Sequence, residues 1–317
     1  MNTTASQLRL ASSITKAASQ QTYYTIRFLV DRERIADAYR AYAYFRWVDD
    51  TLDAEPGSSL REVKAQQRMA FLERQKCLLE KCYRGESVPD ATAEENMLIE
   101  LVAHDHEKNS GLQSYLRSMM QVMDFDAKRR GRLISQAELN DYTRWLASAV
   151  TEAMHYFIGH GSYAPHDETR YLAVTAAHIT HMLRDTYDDV QAGYYNIPRE
   201  VLDAAHMGPQ HIHHQGYRRW VQSRIQLARE YFRAGCKYLA RLEEPRCRLA
   251  GLAYTARFEW ILDTIEQENY SLRPEYNERK GLGAGLQMGL LTLSSLLNLR
   301  ELEAAPQAVV SQPFRKF

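Results

Sequence analysis

The amino-acid sequence predicts an all-α protein folded as a single domain, and three observations lead to that class. From Tyr23 onward apolar residues recur at three- and four-residue steps, and no stretch alternates as a half-buried strand does. Gly (15) and Pro (9), which punctuate turn-rich folds, are sparse in a chain of 317 residues. No linker or internal repeat divides the chain, and its length suffices to bury one sizeable core.

Taken in order, residues 1–18 read as a flexible polar N-terminus. Their Ser, Thr and Ala content and lack of acids suggest a transit peptide less well than a frayed end. Asp31 is placed to cap a helix from Arg32 to about Ala54, which stops at the breaker cluster Glu55-Pro56-Gly57-Ser58-Ser59. Further helices are expected over Leu60–Tyr83, Glu94–Asp105 and Leu112–Asp126. The basic run Lys128–Arg132 reads as a surface turn. Ser135 and Glu138 stand at the capping-box offset for a helix through Ile158, and the next helix spans Asp167 to about Gln191. Helices resume at Tyr217–Leu242 and Pro245–Tyr270. The uncharged stretch 281–299 approaches a membrane span in length, but its glycines, Gln287 and Asn298 favour a terminal core helix that touches a membrane surface at most. Residues 304–317, with Pro306 and Pro313, read as a disordered tail after a helical domain over 19–303.

Composition narrows the function classes. Lys+Arg and Asp+Glu both number 40, so there is no basic footprint for nucleic acid, and no nucleic-acid partner is expected. Cys77, Cys82, Cys236 and Cys247 lack metal-finger spacing and read as reduced thiols of a cytoplasmic, at most membrane-associated, protein. His206, His211, His213 and His214 match no familiar zinc spacing, and an exposed loop is the preferred reading.

Chemistry concentrates in two helices. In AYAYFRWVDDTLDAE, Arg46, Asp49, Asp50 and Asp53 fall at i, i+3, i+4 and i+7, one helical face. In HITHMLRDTYDDVQAGYYNIP, His178, His181, Asp185 and Asp189 share a face, with Arg184 directly before Asp185. Such acidic stripes are costly in a dry core and understandable as ligands for hard cations; Mg²⁺ takes carboxylates and keeps substrate phosphates in its shell. Facing helices of a bundle can join two stripes into one metal site, and the chemistry that suits it is diphosphate ionisation. Two solvated faces with surface ion pairs are the alternative.

On these motifs the chain resembles the squalene and phytoene synthase family, the head-to-head branch of the class I isoprenoid synthases. The likeness spans roughly residues 19–280 and rests on Tyr42-x-x-x-Arg46-x-x-Asp49-Asp50-x-x-Asp53 and on Leu183-Arg184-Asp185-x-x-x-Asp189 followed by Gly193 and Ile197-Pro198. Ile261-Leu262-Asp263-x-Ile265-Glu266 resembles a late family helix, and Gln21-Thr22-Tyr23-Tyr24 a diphosphate-contacting segment. The resemblance implies a helical bundle around a central cavity in which two prenyl diphosphates join with Mg²⁺, Mn²⁺ being the next candidate; NADPH is neither implied nor excluded. It implies Asp49, Asp50, Asp53, His181, Asp185 and Asp189 as metal ligands and Arg46 and Arg184 as phosphate-gripping groups. Tyr142 matches a tyrosine near the reacting centre, and Tyr23, Tyr42, Trp145, His178 and Phe258 fall where substrate contacts are expected.

The chain departs from the family pattern in ways that bear on the reaction. His178 and His181 stand in place of Gln and Asn, and Ala192-Gly193-Tyr194 in place of Arg-Gly-Arg. Ser148 and Thr151 replace glycines, Phe258 a tyrosine and Gln21 a lysine, while Trp145 adds bulk. The leading expectation is head-to-head condensation of two C15 or C20 diphosphates. A terpene cyclase ionising one diphosphate is the rival, and a non-catalytic relative, which would be expected to lose the aspartates, comes third.

Overall fold

The computed structural model describes residues 2–53 and 61–276, and side chains from residues 7 and 66 of those two stretches. Among the described residues there are twelve α-helices, one short 3-10 turn at Arg32–Arg34 and no strand. The stretches 281–299 and 304–317 lie outside the described residues. By their contacts the described residues gather into two compact units, one within residues 1–128 with 152–161 and the other within residues 129–151 with 162–317.

Unit 1 holds α1 (Asn2–Ala18), α2 (Gln20–Leu29), α3 (Ile35–Asp53), α4 (Arg61–Tyr83), α5 (Glu95–Ala103) and α6 (Gly111–Arg129, whose last residue belongs to unit 2). The segment expected to be flexible is thus helical: α1 lies against α3 with Ala11 and Thr15 fully buried. It has few large apolar residues, which is why periodicity did not reveal it. Ser19 separates α1 from α2, and its hydroxyl accepts the Thr22 N–H at 3.1 Å as an N-cap.

The helix α3 packs on α1, α2, α4 and α5, and buries Tyr39, Ala43, Tyr44, Phe45, Val48 and Leu52. Tyr44 donates to Gln75 Oε1 (3.0 Å) and Gln75 donates to Glu95 Oε1 (2.9 Å). Arg74 clamps the same carboxylate at 2.6 and 2.7 Å, so the polar tip of a core tyrosine ends in a satisfied network. Asp31 does not cap the turn that follows it. Its carboxylate accepts the N–H groups of Gly159 (3.1 Å) and His160 (3.0 Å), pinning the segment before α3 to the end of α7.

Unit 2 holds most of α7 (Gln136–Phe157), then α8 (Leu172–Arg184), α9 (Thr186–Ala192), α10 (Arg199–Ala204), α11 (Gln215–Ala240) and α12 (Pro245–Gln267). The capping box forms as expected: Ser135 N–H donates to Glu138 Oε2 (2.8 Å) and Glu138 N–H to Ser135 Oγ (3.2 Å). The helix expected from Asp167 starts instead at Leu172, because the Asp167 carboxylate accepts the Thr169 N–H (2.9 Å) and holds a turn.

Nearly all of α8 is buried, and α11 and α12 both lie along it. Gly235 makes the close approach possible, since a Cβ there would come within 2.7 Å of the Ala173 Cα. A large apolar cluster, including Leu183, Ile197, Tyr217, Phe232, Ile261 and Ile265, completes the unit. All four cysteines are free thiols, in keeping with the sequence reading. His206, His211, His213 and His214 form an exposed turn, and the His211 and His214 rings accept backbone N–H groups at 3.0 and 3.1 Å. No helix among the described residues is long and apolar enough to cross a membrane.

Candidate functional site

Unit 1 places the first stripe on the last two turns of α3. Arg46 forms a two-point pair with Asp50, Nε to Oδ2 at 3.1 Å and Nη2 to Oδ1, and its Nη1 lies 3.5 Å from Asp49 Oδ2. Asp49 is half-buried. That burial, with the neighbouring Asp53, Asp126 and Asp50, pushes its carboxyl up to about 6 against the opposing pull of Arg46. Asp126, on α6, escaped the sequence reading because it shares no helix with the motif; only folding brings it beside Asp49. A divalent cation would relieve such crowding, though among the described residues no three His, Cys, Asp or Glu side chains converge, as they stand, to hold one. Tyr42 is half-buried on α3. Tyr23 packs its ring against Tyr39 and Tyr24, each at 5.4 Å, and accepts the Tyr39 hydroxyl through its carbonyl (3.2 Å).

Unit 2 carries the second stripe across a helix break. α8 ends at Arg184, and Asp185 (φ −94°, ψ 7°) stands between it and α9, where one continuous helix was expected. Its N–H still donates to His181 O (3.0 Å) and its carbonyl accepts the Asp189 N–H (2.9 Å), so the face survives. Arg184 grips Asp185 with two bonds of 2.6 Å, and His181 Nε2 lies 3.1 Å from Asp185 Oδ2. Asp189 accepts from Asn196 Nδ2 (2.7 Å), and Asn196 Oδ1 accepts from Arg129 Nη1 (2.8 Å). Asn196 was not singled out in the sequence, where Ile197-Pro198 drew attention instead.

Arg129 overturns the surface-turn reading of the basic run. Only 5% exposed, it lies over the rings of Tyr142 (4.8 Å) and Tyr194 (5.0 Å), and Arg130 stands 5.8 Å from the Tyr194 ring. The turn docks on the end of α9, with Gly131 N–H donating to Gly193 O at 2.7 Å. Gly193 is in the left-handed region (φ 85°), and a Cβ there would meet Gly131 N at 3.3 Å. Two guanidiniums, of residues 129 and 130, therefore stand beside Tyr194 of Ala192-Gly193-Tyr194.

Tyr142 is buried on α7 and meets His178 edge-on, with ring centroids 5.1 Å apart. His178 is 4% exposed and neither ring nitrogen has a hydrogen-bond partner. Burial, then the charges of His181, Arg129 and Arg224, hold its pKa down to about 3, so it is neutral at physiological pH. Phe258 is buried, 6.1 Å from the His181 ring and 5.4 Å from Tyr254, with the Arg257 guanidinium 4.5 Å from its own ring. Trp145 is half-buried on α7. In the late motif, Asp263 and Glu266 (2.7 Å) both bind Arg229 of α11.

The profile of the family described as Squalene/phytoene synthase matches residues 15–280. The chain belongs to the squalene/phytoene synthase family. Among solved structures it is similar to the squalene synthase HpnC from Alicyclobacillus acidocaldarius, at 19% identity and TM-score 0.65 over 85% of this chain and 97% of that one. It is likewise similar to a dehydrosqualene synthase in complex with ligand, at 16% identity and TM-score 0.68 over 94% and 98% of the two chains. No curated protein sequence matches it. At such identities the structures show the all-α isoprenoid synthase fold, while the family places the chain among transferases of isoprenoid biosynthesis that condense prenyl diphosphates head to head.

Proposed function

We propose that this chain condenses two prenyl diphosphates of C15 or C20 length head to head, releasing diphosphate, with Asp49, Asp50 and Asp53, and likewise Asp185 and Asp189, as the residues that would hold Mg²⁺. One observation carries the reading: each aspartate stripe is built with its own arginine, Arg46 on Asp50 and Arg184 on Asp185. Were these carboxylates to hold a dication, Arg46 and Arg184 would be free to give phosphate oxygens charge-assisted hydrogen bonds. Bound Mg²⁺ would neutralise the diphosphate leaving group.

Around those groups the residues have separable tasks. Arg46 and Arg184 bind and orient phosphate. Tyr142 presents a ring face already held against Arg129 and His178, so its position is set before substrate arrives. His181, exposed and bonded to Asp185, stands where the family has a metal-binding Asn; imidazole broadens the tolerated metals, so Mn²⁺ is expected to serve as well. The rival, ionisation of a single diphosphate by a cyclase, rests on the bulk of Trp145 and on the missing Arg-Gly-Arg cations; Arg129 and Arg130 beside Tyr194 weaken the second ground and leave the first.

The test is incubation of the purified chain with farnesyl or geranylgeranyl diphosphate and Mg²⁺, measuring pyrophosphate and extractable hydrocarbon. A C30 or C40 product is expected. A C15 or C20 hydrocarbon or alcohol assigns the cyclase instead, and no pyrophosphate from any substrate refutes both.

A further inference from the structure

Among the described residues only three large apolar side chains are exposed: Tyr24 (48%), Phe28 (68%) and Tyr163 (65%). Two of them stand together. Tyr24 and Phe28, one turn apart on α2, stack with ring planes 10° from parallel and centroids 6.1 Å apart. Gln20, Tyr24, Arg27 and Phe28 fall at i, i+4, i+7 and i+8, so they share one face of the helix, and all four are exposed. The other face is occupied: α2 packs on α1 and α3, and Ile26 is buried. Beside the stacked pair, Tyr23 meets Tyr24 edge-on at 5.4 Å, and the Lys16 ammonium of α1 lies 5.5 Å from the Tyr23 ring.

A phenylalanine stacked on a tyrosine in water leaves apolar surface whose burial would be favourable. Size and charge limit what could cover it. A stable contact between copies of the chain takes about 800 Å² from each partner, whereas one large aromatic side chain offers at most about 150–250 Å². Rings that dip among lipid headgroups need no such area, because the apolar surface inserted is supplemented by attraction to anionic lipid. The charges agree with that partner. From Met1 to Val30 the sequence holds Arg9, Lys16 and Arg27 and no Asp or Glu, and all three cations are exposed. The turn that follows, Arg32-Glu33-Arg34, is also net basic, in a chain whose formal net charge is zero. Tyrosine, with an apolar ring and a polar tip, is a side chain that membrane–water interfaces favour. The membrane contact considered from the sequence was assigned to 281–299, and no motif marked this face of α2.

We propose that the Tyr24–Phe28 face of α2, with Lys16 and Arg27, docks the chain on an anionic lipid surface. Docking there would set Tyr23, expected among the substrate contacts, beside the lipid into which a prenyl chain partitions. That consequence rests on the reading of the chain as a prenyl diphosphate enzyme; the docking itself does not.

The test is co-sedimentation of the full chain, without substrate or metal, with vesicles of phosphatidylcholine alone and of an equal mixture of phosphatidylcholine and phosphatidylglycerol. Binding to the mixture is expected to be tighter by roughly 10-fold or more, and to weaken as salt is raised. Phe28→Ser should weaken it about 10-fold and Arg27→Gln and Lys16→Gln about 5-fold each, while Phe28→Trp and Tyr163→Ser leave it unchanged. Circular dichroism should show every variant folded, since the substituted side chains are exposed. Equal binding to both vesicles, or binding to neither, overturns the anionic surface as partner. Unchanged binding in Phe28→Ser and Arg27→Gln overturns this face as the contact. A dimer that Phe28→Ser converts to monomer on size exclusion, with vesicle binding unaltered, assigns the face to a second copy instead. Vesicle binding through Phe28 in a chain that turns over no prenyl diphosphate sinks the proposed reaction and leaves the docking standing. Coupling by a chain that neither vesicle sediments does the reverse.

Discussion

Arg129 and Asp189 are joined through a single buried side chain: Asn196 accepts from the arginine at 2.8 Å and donates to the aspartate at 2.7 Å. Asn196 thereby turns the Asp189 carboxylate toward one orientation, as outer-shell partners of metal ligands do. Asn196→Ala is expected to raise the Mg²⁺ concentration for half-maximal pyrophosphate release by about 10- to 100-fold. The protein should lose only about 1–3 kcal/mol of stability, from the unpaired partners left behind. Titrating Mg²⁺ against activity checks this, and an unchanged half-saturation would show that Asp189 needs no such support.

Asp50 is exposed and Asp185 half-exposed, so neither carboxylate carries the fold. Replacing either by Ala should cost less than about 1 kcal/mol, the scale of surface ion pairs. Yet turnover should fall below roughly one hundredth, since a metal supplies several kcal/mol of charge stabilisation. Circular dichroism and pyrophosphate release, read together, separate the two effects. Full activity in either variant would refute the metal assignment.

Those two stripes were legible because both their aspartates and their arginines sit at helical spacing on one segment. The Ser135–Glu138 box was legible for the same reason. Asp126, Asn196 and Arg129 were not, since each acquires its role from residues far along the chain. A run such as KRRGR is normally solvated; here Tyr142 and Tyr194 supply ring faces that pay for the burial of Arg129. The break at Asp185 was equally hidden, because α8 and α9 keep their backbone hydrogen bonds across it and so preserve the periodicity that pattern reading relies on.

Gly235 lets α11 rest directly on the α8 backbone, where an added Cβ would come within 2.7 Å of Ala173 Cα. Neither helix can yield without disturbing the buried face of α8, so Gly235→Ala should destabilise by about 1–3 kcal/mol despite its better helix propensity. A fall in melting temperature of several degrees is expected, roughly 2–4 °C for each kcal/mol in a domain of this size. A rise would mean that the two helices separate at little cost.

Glu95 offers the pH test. Its carboxylate is 1% exposed and accepts from Arg74, Gln75 and the Thr92 N–H. Hydrogen bonding from Arg74 first, opposed by burial and aided by Thr92 and Gln75, holds its pKa down to about 2, from 4.5. A carboxyl with a depressed folded pKa is bound to fewer protons when folded than when unfolded in the window between those values. Its contribution is therefore complete above pH 4.5 and lost as pH falls toward about 2. Glu95→Gln should be less stable than wild type by a constant margin from pH 5 to 7, and the margin should shrink steadily below pH 4.5. Urea unfolding of both proteins across that range measures it. A margin that stayed flat down to pH 3 would place the worth of Glu95 in its shape and hydrogen-bond geometry, with its charge contributing nothing.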